Sequence, residues 1–361
     1  MQNETPTKLK VAIIGAGITG LCAARLLHDQ GHTVQVFEKA RGPGGRTATR
    51  RSNDYAFDHG AQYFTVKDQR FSAYVASWLN AGIVGPWQGR IASITRGIVT
   101  LKSNDIDRYV GMPGMSAMAR HLGQAVPIHY QTRVLNLNRV GHCWRLTDDT
   151  GQELGDFDVV LITTPPLQAV PLLKMLPTLA QQVGLIKMAP CWAVMAVFHA
   201  PLASSFDGAF VHDEPLSWIA RNSSKPERPS HEAWVLHSCP TWSAAHLDWE
   251  AGDVADFLLD NFFQTTGLAP SQPLFLQAHR WLYSLAENPL SEGCLWDDEY
   301  AIGVCGDWCH GSRIEGAFLS GLAGAERVLS WAAPCSVITG CMDIGSDIAR
   351  AQASANGKKL H

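Results

Sequence analysis

The hydrophobic pattern of this chain changes period several times, and the first change carries the most information. Residues 11–14 (VAII) form an apolar run short enough for a buried strand. A helix then carries Leu21, Cys22, Arg25 and Leu26 onward and stops near Gly31. A second strand, 33–37, ends in Glu38. Helical spacing returns at 71–80, and 83–110 breaks into short strands: GIVGPW, RIASIT and GIVTLKS. A helix over 116–122 has Ser116 as its candidate N-cap. A strand over 130–136, the hairpin segment HCWRLT with a return through a turn at 148–151, and a buried strand over 158–164 follow. Residues 191–198 (CWAVMAVF) are an uninterrupted apolar strand between Pro190 and Pro201. Further strands are predicted over 233–238, 274–282 and 302–305, with an amphipathic helix over 251–265. In 274–282, period two puts His279, Trp281 and Tyr283 on one face and Arg280 on the other. The last helix, FLSGLAGAERVLSW, has small residues spaced for close packing on a sheet, and 332–361 lose all periodicity and read as a mobile tail outside the chemistry.

The first strand–helix–strand unit encloses Gly15-Ala16-Gly17-Ile18-Thr19-Gly20, a G-x-G-x-x-G turn. The first glycine permits the tight turn, the second lets a pyrophosphate approach the backbone, and the third lets the helix pack on the strand. Glu38 lies eighteen residues after Gly20 (38 − 20), where an acid accepts hydrogen bonds from an adenosine ribose. Strand, glycines, helix, strand and acid in this order specify a dinucleotide. Residues 39–51 (KARGPGGRTATRR) then supply a second glycine pair, Gly44-Gly45, followed by Arg46. A nicotinamide dehydrogenase has no need of it, whereas FAD is longer and must thread past another backbone segment. Lys39, Arg41 and Arg46 offer positive charge to phosphate.

Here the residues resemble the flavin-containing amine oxidase superfamily. Asp58-His59-Gly60-Ala61-Gln62-Tyr63-Phe64 and Cys305-Gly306-Asp307-Trp308-Cys309 narrow the resemblance, which runs from about 10 to 331, to the renalase-like branch. It implies an α/β fold in which a Rossmann-type FAD-binding domain (1–75, 111–166 and 291–331) is interleaved with a substrate domain (76–110 and 167–290) of α+β type, built on a mostly antiparallel sheet. Gly60 and Ala61 would pass under the flavin ring, with Gln62 or Tyr63 facing it. The turn over 111–115 would sit close to the cofactor, and Val134 would bring backbone to the adenine. Gly306 and Asp307 would hold the ribityl chain. The helix start at Glu315-Gly316-Ala317 would aim N–H groups at the pyrimidine edge.

Composition adds boundaries. At 361 residues with 46 % apolar content, two domains with ample cores are expected. A net charge of −4 gives no general attraction to nucleic acid or membrane. No run spans a bilayer, and the N-terminus lacks a signal-peptide core, so a cytoplasmic protein is expected. Nine cysteines include no C-x-x-C; Cys305, Cys309 and His310 lack a fourth ligand, so no metal is expected. Cys294 lies only twelve residues before Gly306 (306 − 294), too close for the family's flavin-linking cysteine, which implies non-covalent FAD. Strand 191–198 lacks the lysine that amine oxidases place near N5, and Arg313 stands where monoamine oxidases have a cage tyrosine. A cation there disfavours a protonated amine. The resemblance instead implies oxidation of 2- or 6-dihydro-NAD(P) isomers to β-NAD(P)+, with O2 reduced to H2O2. In that reading Arg313 and the Arg221/Lys225 loop meet substrate phosphates, and His279, Trp281 and Tyr63 shape the pocket. The alternatives are an amine or amino-acid oxidase and a non-catalytic FAD sensor.

Overall fold

The computed structural model describes residues 8–332 except 104 and 214. The expected tail therefore lies outside the described residues beyond Ala332, the last residue of the final helix. The first apolar run is the strand Lys10–Ile14, parallel to Thr33–Phe37 on one side and to Val159–Ile162 on the other. Its residues after Lys10 are all buried, as a central parallel strand covered on both faces requires. Ile302–Cys305 and Ile128–His129 extend the sheet in parallel, and Cys294–Asp297 closes one edge antiparallel. These six strands come from three stretches of chain separated by long excursions.

The final helix, Ile314–Ala332, packs against both the sheet and the first helix, Ile18–Asp29, which also lies on the sheet. Its glycines explain how closely. A Cβ on Gly321 would fall 2.4 Å from the Thr19 carbonyl oxygen, and one on Gly324 would fall 2.6 Å from Cys305 Sγ. Phe318 fills the other flank, packed on Phe71, Tyr74 and Trp78 of the helix Gln69–Asn80.

The excursions build a seven-stranded sheet in the order Pro273–Ala286, Met188–Phe198, Glu232–Ser238, Leu216–Arg221, Gly208–Val211, Ile91–Thr95 and Ile98–Leu101. All neighbours are antiparallel except Gly208–Val211 with Ile91–Thr95. The helix Ala251–Thr266 seals one face through Val254, Leu258 and Phe262. A three-stranded antiparallel sheet, Val134–Val140, Cys143–Asp148 and Glu153–Phe157, flanks the parallel one. No described helix is long and apolar enough to cross a membrane.

Several sequence boundaries move, each for a local reason. The strand expected from 130 starts at Val134, because Gln131 adopts a left-handed φ of 54° and residues 131 and 132 donate to the carbonyls of Ala40 and Glu38. The strand expected to begin after Pro190 runs through it from Met188, with the register slipping at that point, where a missing N–H is tolerated. Ser116 makes no capping bond; its hydroxyl lies on Thr49 Oγ1 and accepts from Arg120.

Candidate functional site

A cavity of about 1790 Å³ is walled by residues of both large sheets. At one end lies the turn after the first strand. Gly15 has a φ of +110°, which L side chains rarely adopt, and a Cβ on Gly20 would meet the Gly15 carbonyl oxygen at 2.1 Å. Gly17 differs from both. Its φ of −76° suits any residue, and no protein atom lies within 4 Å of an added Cβ. The space it leaves is cavity, which Gly17 lines together with Gly15, Ile18 and Thr19. A glycine at 17 is therefore explained by a ligand that must touch backbone, as a pyrophosphate at a helix N-terminus does.

Glu38 is 8 % exposed at the end of the second strand. Its Oε2 accepts the Ala16 N–H and its Oε1 the Ala40 N–H, each at 2.8 Å. These bonds fix the carboxylate on the wall and leave lone pairs for ribose hydroxyls. Lys39 donates to Gln168 Oε1 at 3.0 Å, and burial lowers its pKa. Val134 also lines this end. The Thr164 hydroxyl, buried on the cavity wall, has no hydrogen-bond partner among the described residues, an unmet demand that a polar ligand could satisfy.

Arg46 and Asp307 meet across the middle. Nη2 lies 2.6 Å from Oδ1 and Nη1 2.9 Å from Oδ2, with Nη1 also 3.1 Å from the Ser284 carbonyl oxygen. The two residues expected on separate parts of the cofactor form one bidentate pair facing the same space. Gly45 and Gly306 line the cavity beside them.

The next segment lies directly on this turn. A Cβ on Gly60 would fall 2.1 Å from the Arg46 carbonyl oxygen, to which Ala61 N–H donates at 2.9 Å. Ala61, Gln62 and Tyr63 all line the cavity. The Tyr63 ring lies 5.5 Å from Trp218 and 6.0 Å from Trp87, and the Arg108 guanidinium sits over it at 5.5 Å. Trp281 lines the wall and donates from Nε1 to the His59 carbonyl at 3.0 Å.

His279 does not reach the wall. It sits behind Trp281, its ring 4.5 Å from that of Trp281 and 4.9 Å from that of His59. The histidine on the wall is His237, from the strand Glu232–Ser238. Its Nε2 lies 3.1 Å from the His59 carbonyl. A carbonyl only accepts, so Nε2 carries the proton and Nδ1 is a bare acceptor. Burial pushes the His237 pKa down to about 4, so the ring is neutral at physiological pH. The sequence signal for it was a polar residue at the end of an otherwise apolar strand, WVLHS.

At the mouth, exposed Arg313 precedes the final helix; its carbonyl accepts the Ala317 N–H at 2.8 Å, and its guanidinium has no hydrogen-bond or ion-pair partner among the described residues. Glu315 Oε1 accepts the N–H groups of Lys67 and Asp68 at 2.7 and 2.8 Å, which ties that loop to the helix start. Lys67, Glu315 and Ala317 line the cavity, and so do Asp105 and Asp107. Gly316 does not; its missing Cβ makes room for the His310 carbonyl oxygen, 2.2 Å from where that atom would lie. Ala16, Gly20 and Arg41 also stand off the wall. The Arg221/Lys225 loop expected to meet substrate phosphate is turned inward. Arg221 pairs with Glu232 and Asp207, and Lys225 is buried on Asp58. The turn over 111–115 packs behind the site, with Met115 N–H on Asp58 Oδ1 at 2.9 Å.

Comparison with known proteins places this architecture. A family model described as flavin containing amine oxidoreductase matches residues 92–329, and an NAD(P)-binding Rossmann-like domain model matches 13–78. The chain belongs to the flavin-containing amine oxidoreductase family. Flavin-containing amine oxidase B of Sus scrofa is 34 % identical over 151 residues, 41 % of this chain and 24 % of that protein. A 4,4'-diapophytoene desaturase of Staphylococcus aureus (strain Newman) is 38 % identical over 72 residues, 20 % of this chain and 14 % of that one. The chain thus spans about a quarter or less of the curated relatives it matches. Among solved structures, a putative protoporphyrinogen oxidase from Exiguobacterium sp. 255-15 aligns at a TM-score of 0.73 with 13 % identity, covering 90 % of this chain and 100 % of that one. Cyclohexylamine oxidase from Brevibacterium oxydans IH-35A aligns at 0.69 with 13 % identity, covering 90 % and 99 %. These likenesses establish the shared fold.

FAD is the family's cofactor and this chain's. The residues present fit it: a glycine cradle open at Gly17, a fixed acid at Glu38, an unpartnered hydroxyl at Thr164, and a second glycine turn at Gly44–Gly45 hydrogen-bonded to the first through Ala16.

Proposed function

We propose that this family member is an FAD-dependent oxidase of 2- or 6-dihydro-NAD(P) isomers, returning β-NAD(P)+ and reducing O2 to H2O2, with FAD held non-covalently. The observation that carries this reading is Arg313, an exposed guanidinium on the cavity wall at the start of the final helix with no ion-pair partner among the described residues, and Lys67 on the same wall. Together with the helix N-terminus they favour a phosphate-bearing donor over a protonated amine. Two further observations agree. The cavity volume exceeds the roughly 300–1,000 Å³ usual for one small ligand, leaving room for a second large one. His237 Nδ1, a permanent acceptor, suits the N–H of a carboxamide.

Bound FAD supplies the two-electron acceptor at its N5. The chain's residues do the rest. Trp281 and Tyr63 flank the donor's approach, His237 orients its carboxamide, and Arg313 anchors its phosphates at the mouth. A dihydropyridine donates hydride once stacked at about 3–3.5 Å, so no general base is required. The interleaved FAD-binding segments (1–75, 111–166, 291–331) and substrate segments (76–110, 167–290) are read as the two working halves.

A second reading, oxidation of a small amine, is favoured by Asp105 and Asp107 on the same wall, which would attract a cation, and by the aromatic group Tyr63, Phe210 and Trp218. Anaerobic stopped-flow of the FAD-loaded protein separates the two. Rapid loss of flavin absorbance with 6-dihydro-NAD but not with benzylamine or putrescine is expected. The reverse selects the amine reading, and inertness to every donor removes both.

A further inference from the structure

One charged cluster lies outside the cavity and joins the two halves of the molecule. Asp58, at the end of the strand Tyr55–Asp58, is fully buried. Its Oδ2 accepts from Arg228 Nη2 at 2.6 Å and Nε at 3.1 Å and lies 3.4 Å from Lys225 Nζ. Oδ1 takes the Met115 N–H at 2.9 Å and the Thr49 hydroxyl at 3.0 Å. Both cations come from the loop after Leu216–Arg221, in the antiparallel sheet. A buried carboxylate needs one cation. The second also reaches the turn that lines the cavity: Lys225 Nζ donates to Gln62 Oε1 at 3.1 Å, and the same amide donates from Nε2 to the carbonyls of Asp58 and Gly60.

We infer that Lys225 is a positioning residue for the cofactor: through the Gln62 amide it fixes the turn 60–63 against the cavity from the opposite half of the molecule. The chain of contacts admits one orientation. Lys225 only donates, so it selects the carbonyl end of the Gln62 amide and points the NH2 end into the turn. That closes the turn's carbonyls inward and leaves Ala61 and Tyr63 presented to the cavity. The inference depends on FAD binding and is independent of which donor is oxidised.

The charged and titratable groups facing the ammonium are Asp58 from its strand, Arg228 from the same loop and His237 from Glu232–Ser238. Gln62 and Asn222 supply neutral acceptors, and the Trp87 ring lies 5.7 Å away. Burial lowers the Lys225 pKa to about 8, opposed by Asp58 and reinforced by Arg228. The ammonium that holds Gln62 is therefore lost in an accessible pH range.

The test is FAD titration of the full-length apoprotein, followed by flavin fluorescence between pH 6.5 and 9.5, for wild type, Lys225→Met and Lys225→Arg. Wild-type affinity is expected to weaken as pH rises through about 8. Lys225→Met should bind FAD tenfold or more weakly at pH 7 with no inflection there, and Lys225→Arg should stay within threefold of wild type and also lose the inflection. A merely structural lysine would lower the melting temperature and leave the pH profile of affinity unmoved. If Lys225→Met folds and matches wild-type affinity and pH profile, the inference is overturned. If Lys225→Met does not fold, Lys225→Arg decides: an inflection identical to wild type overturns the inference, and its loss supports it.

Discussion

Substituting Gly17 separates a ligand's requirement from the protein's own. With a φ of −76° and no protein atom within 4 Å of the new methyl, Gly17→Ala meets no obstacle in the apoprotein. Alanine is the poorer residue at this helix N-cap, by up to about 1 kcal/mol, while it narrows the unfolded ensemble by about 0.4–1 kcal/mol. Those terms oppose each other, so apoprotein stability should change by less than about 1 kcal/mol. If FAD lies in this cradle, it is the party that meets the methyl. Inserting a methyl into a filled contact costs about 1–3 kcal/mol, which at about 1.4 kcal/mol per decade is roughly a 5- to 150-fold loss of affinity. Gly20→Ala is the control with the opposite outcome, because its Cβ would lie 2.1 Å from the Gly15 carbonyl oxygen and the apoprotein itself must give way. Urea denaturation of both apoproteins and FAD titration give the two numbers. Wild-type FAD affinity in Gly17→Ala, or equal destabilisation of the two apoproteins, would refute the argument that this end of the cavity is a cofactor cradle.

Asp58→Asn leaves Lys225 and Arg228 buried without their carboxylate and should cost about 3–5 kcal/mol in urea unfolding; a loss below about 1 kcal/mol would show that the cluster does not hold the halves together. Burial holds His59 at about 3 and His237 at about 4, against 6.5 for the ordinary side chain. The unfolded chain therefore binds more protons between those values, and stability should fall on acidification from pH 6.5 towards 4, by up to about 1.4 kcal/mol per pH unit for each ring. Urea midpoints from pH 7.5 to 5 check this, with a shallower slope for His237→Gln; a flat wild-type profile counts against buried neutral rings. Arg313→Ala should raise the KM for a dihydro-NAD(P) isomer at least tenfold while leaving the limiting rate of flavin reduction within about threefold, because the proposed role of the guanidinium is to anchor phosphate away from the reacting carbon. An unchanged KM removes Arg313 from the binding site.

The glycine-rich end of the cavity was legible because backbone chemistry dictates it. Gly15, Gly17 and Glu38 act through main-chain conformation, close approach and a fixed spacing along one strand–helix–strand unit, all of which are local in sequence. The parallel strands declared themselves by continuous apolar runs, as strands covered on both faces must. The strands Gly208–Val211 and Leu216–Arg221 were not predicted, being short and set among turn residues, with pairing supplied by neighbours over a hundred residues away in one case. Polar partners were hardest to foresee. Arg46 with Asp307, and Lys225 with Asp58 and Gln62, are separated by more than 160 positions, and nothing local distinguishes a cation aimed at phosphate from one buried on a carboxylate. For that reason the sequence points Arg221 and Lys225 at substrate, whereas both face the protein.

The opposite end of the cavity resists the sequence for the same reason. Period two placed His279 and Trp281 on one face of their strand, but a strand in a sheet has two faces, and only the fold says which looks into the cavity. The long strand Pro273–Ala286 changes register against Met188–Phe198 beside Pro190, so the cavity meets it from Arg280 to Leu285 without regard to parity. His279 is left behind Trp281, and His237, from a neighbouring strand with no motif around it, takes the wall position. A histidine whose Nε2 proton is committed to a backbone carbonyl and whose charge is suppressed by burial cannot serve as a general acid at neutral pH. It can only accept. On the proposed reading, a fixed acceptor, aromatic walls and the Arg313 guanidinium at the mouth select the donor by hydrogen-bond direction and phosphate charge. Discrimination between dihydronicotinamide and amine donors should therefore reside in Arg313, His237 and the Asp105/Asp107 pair, none of which belongs to the FAD fingerprint.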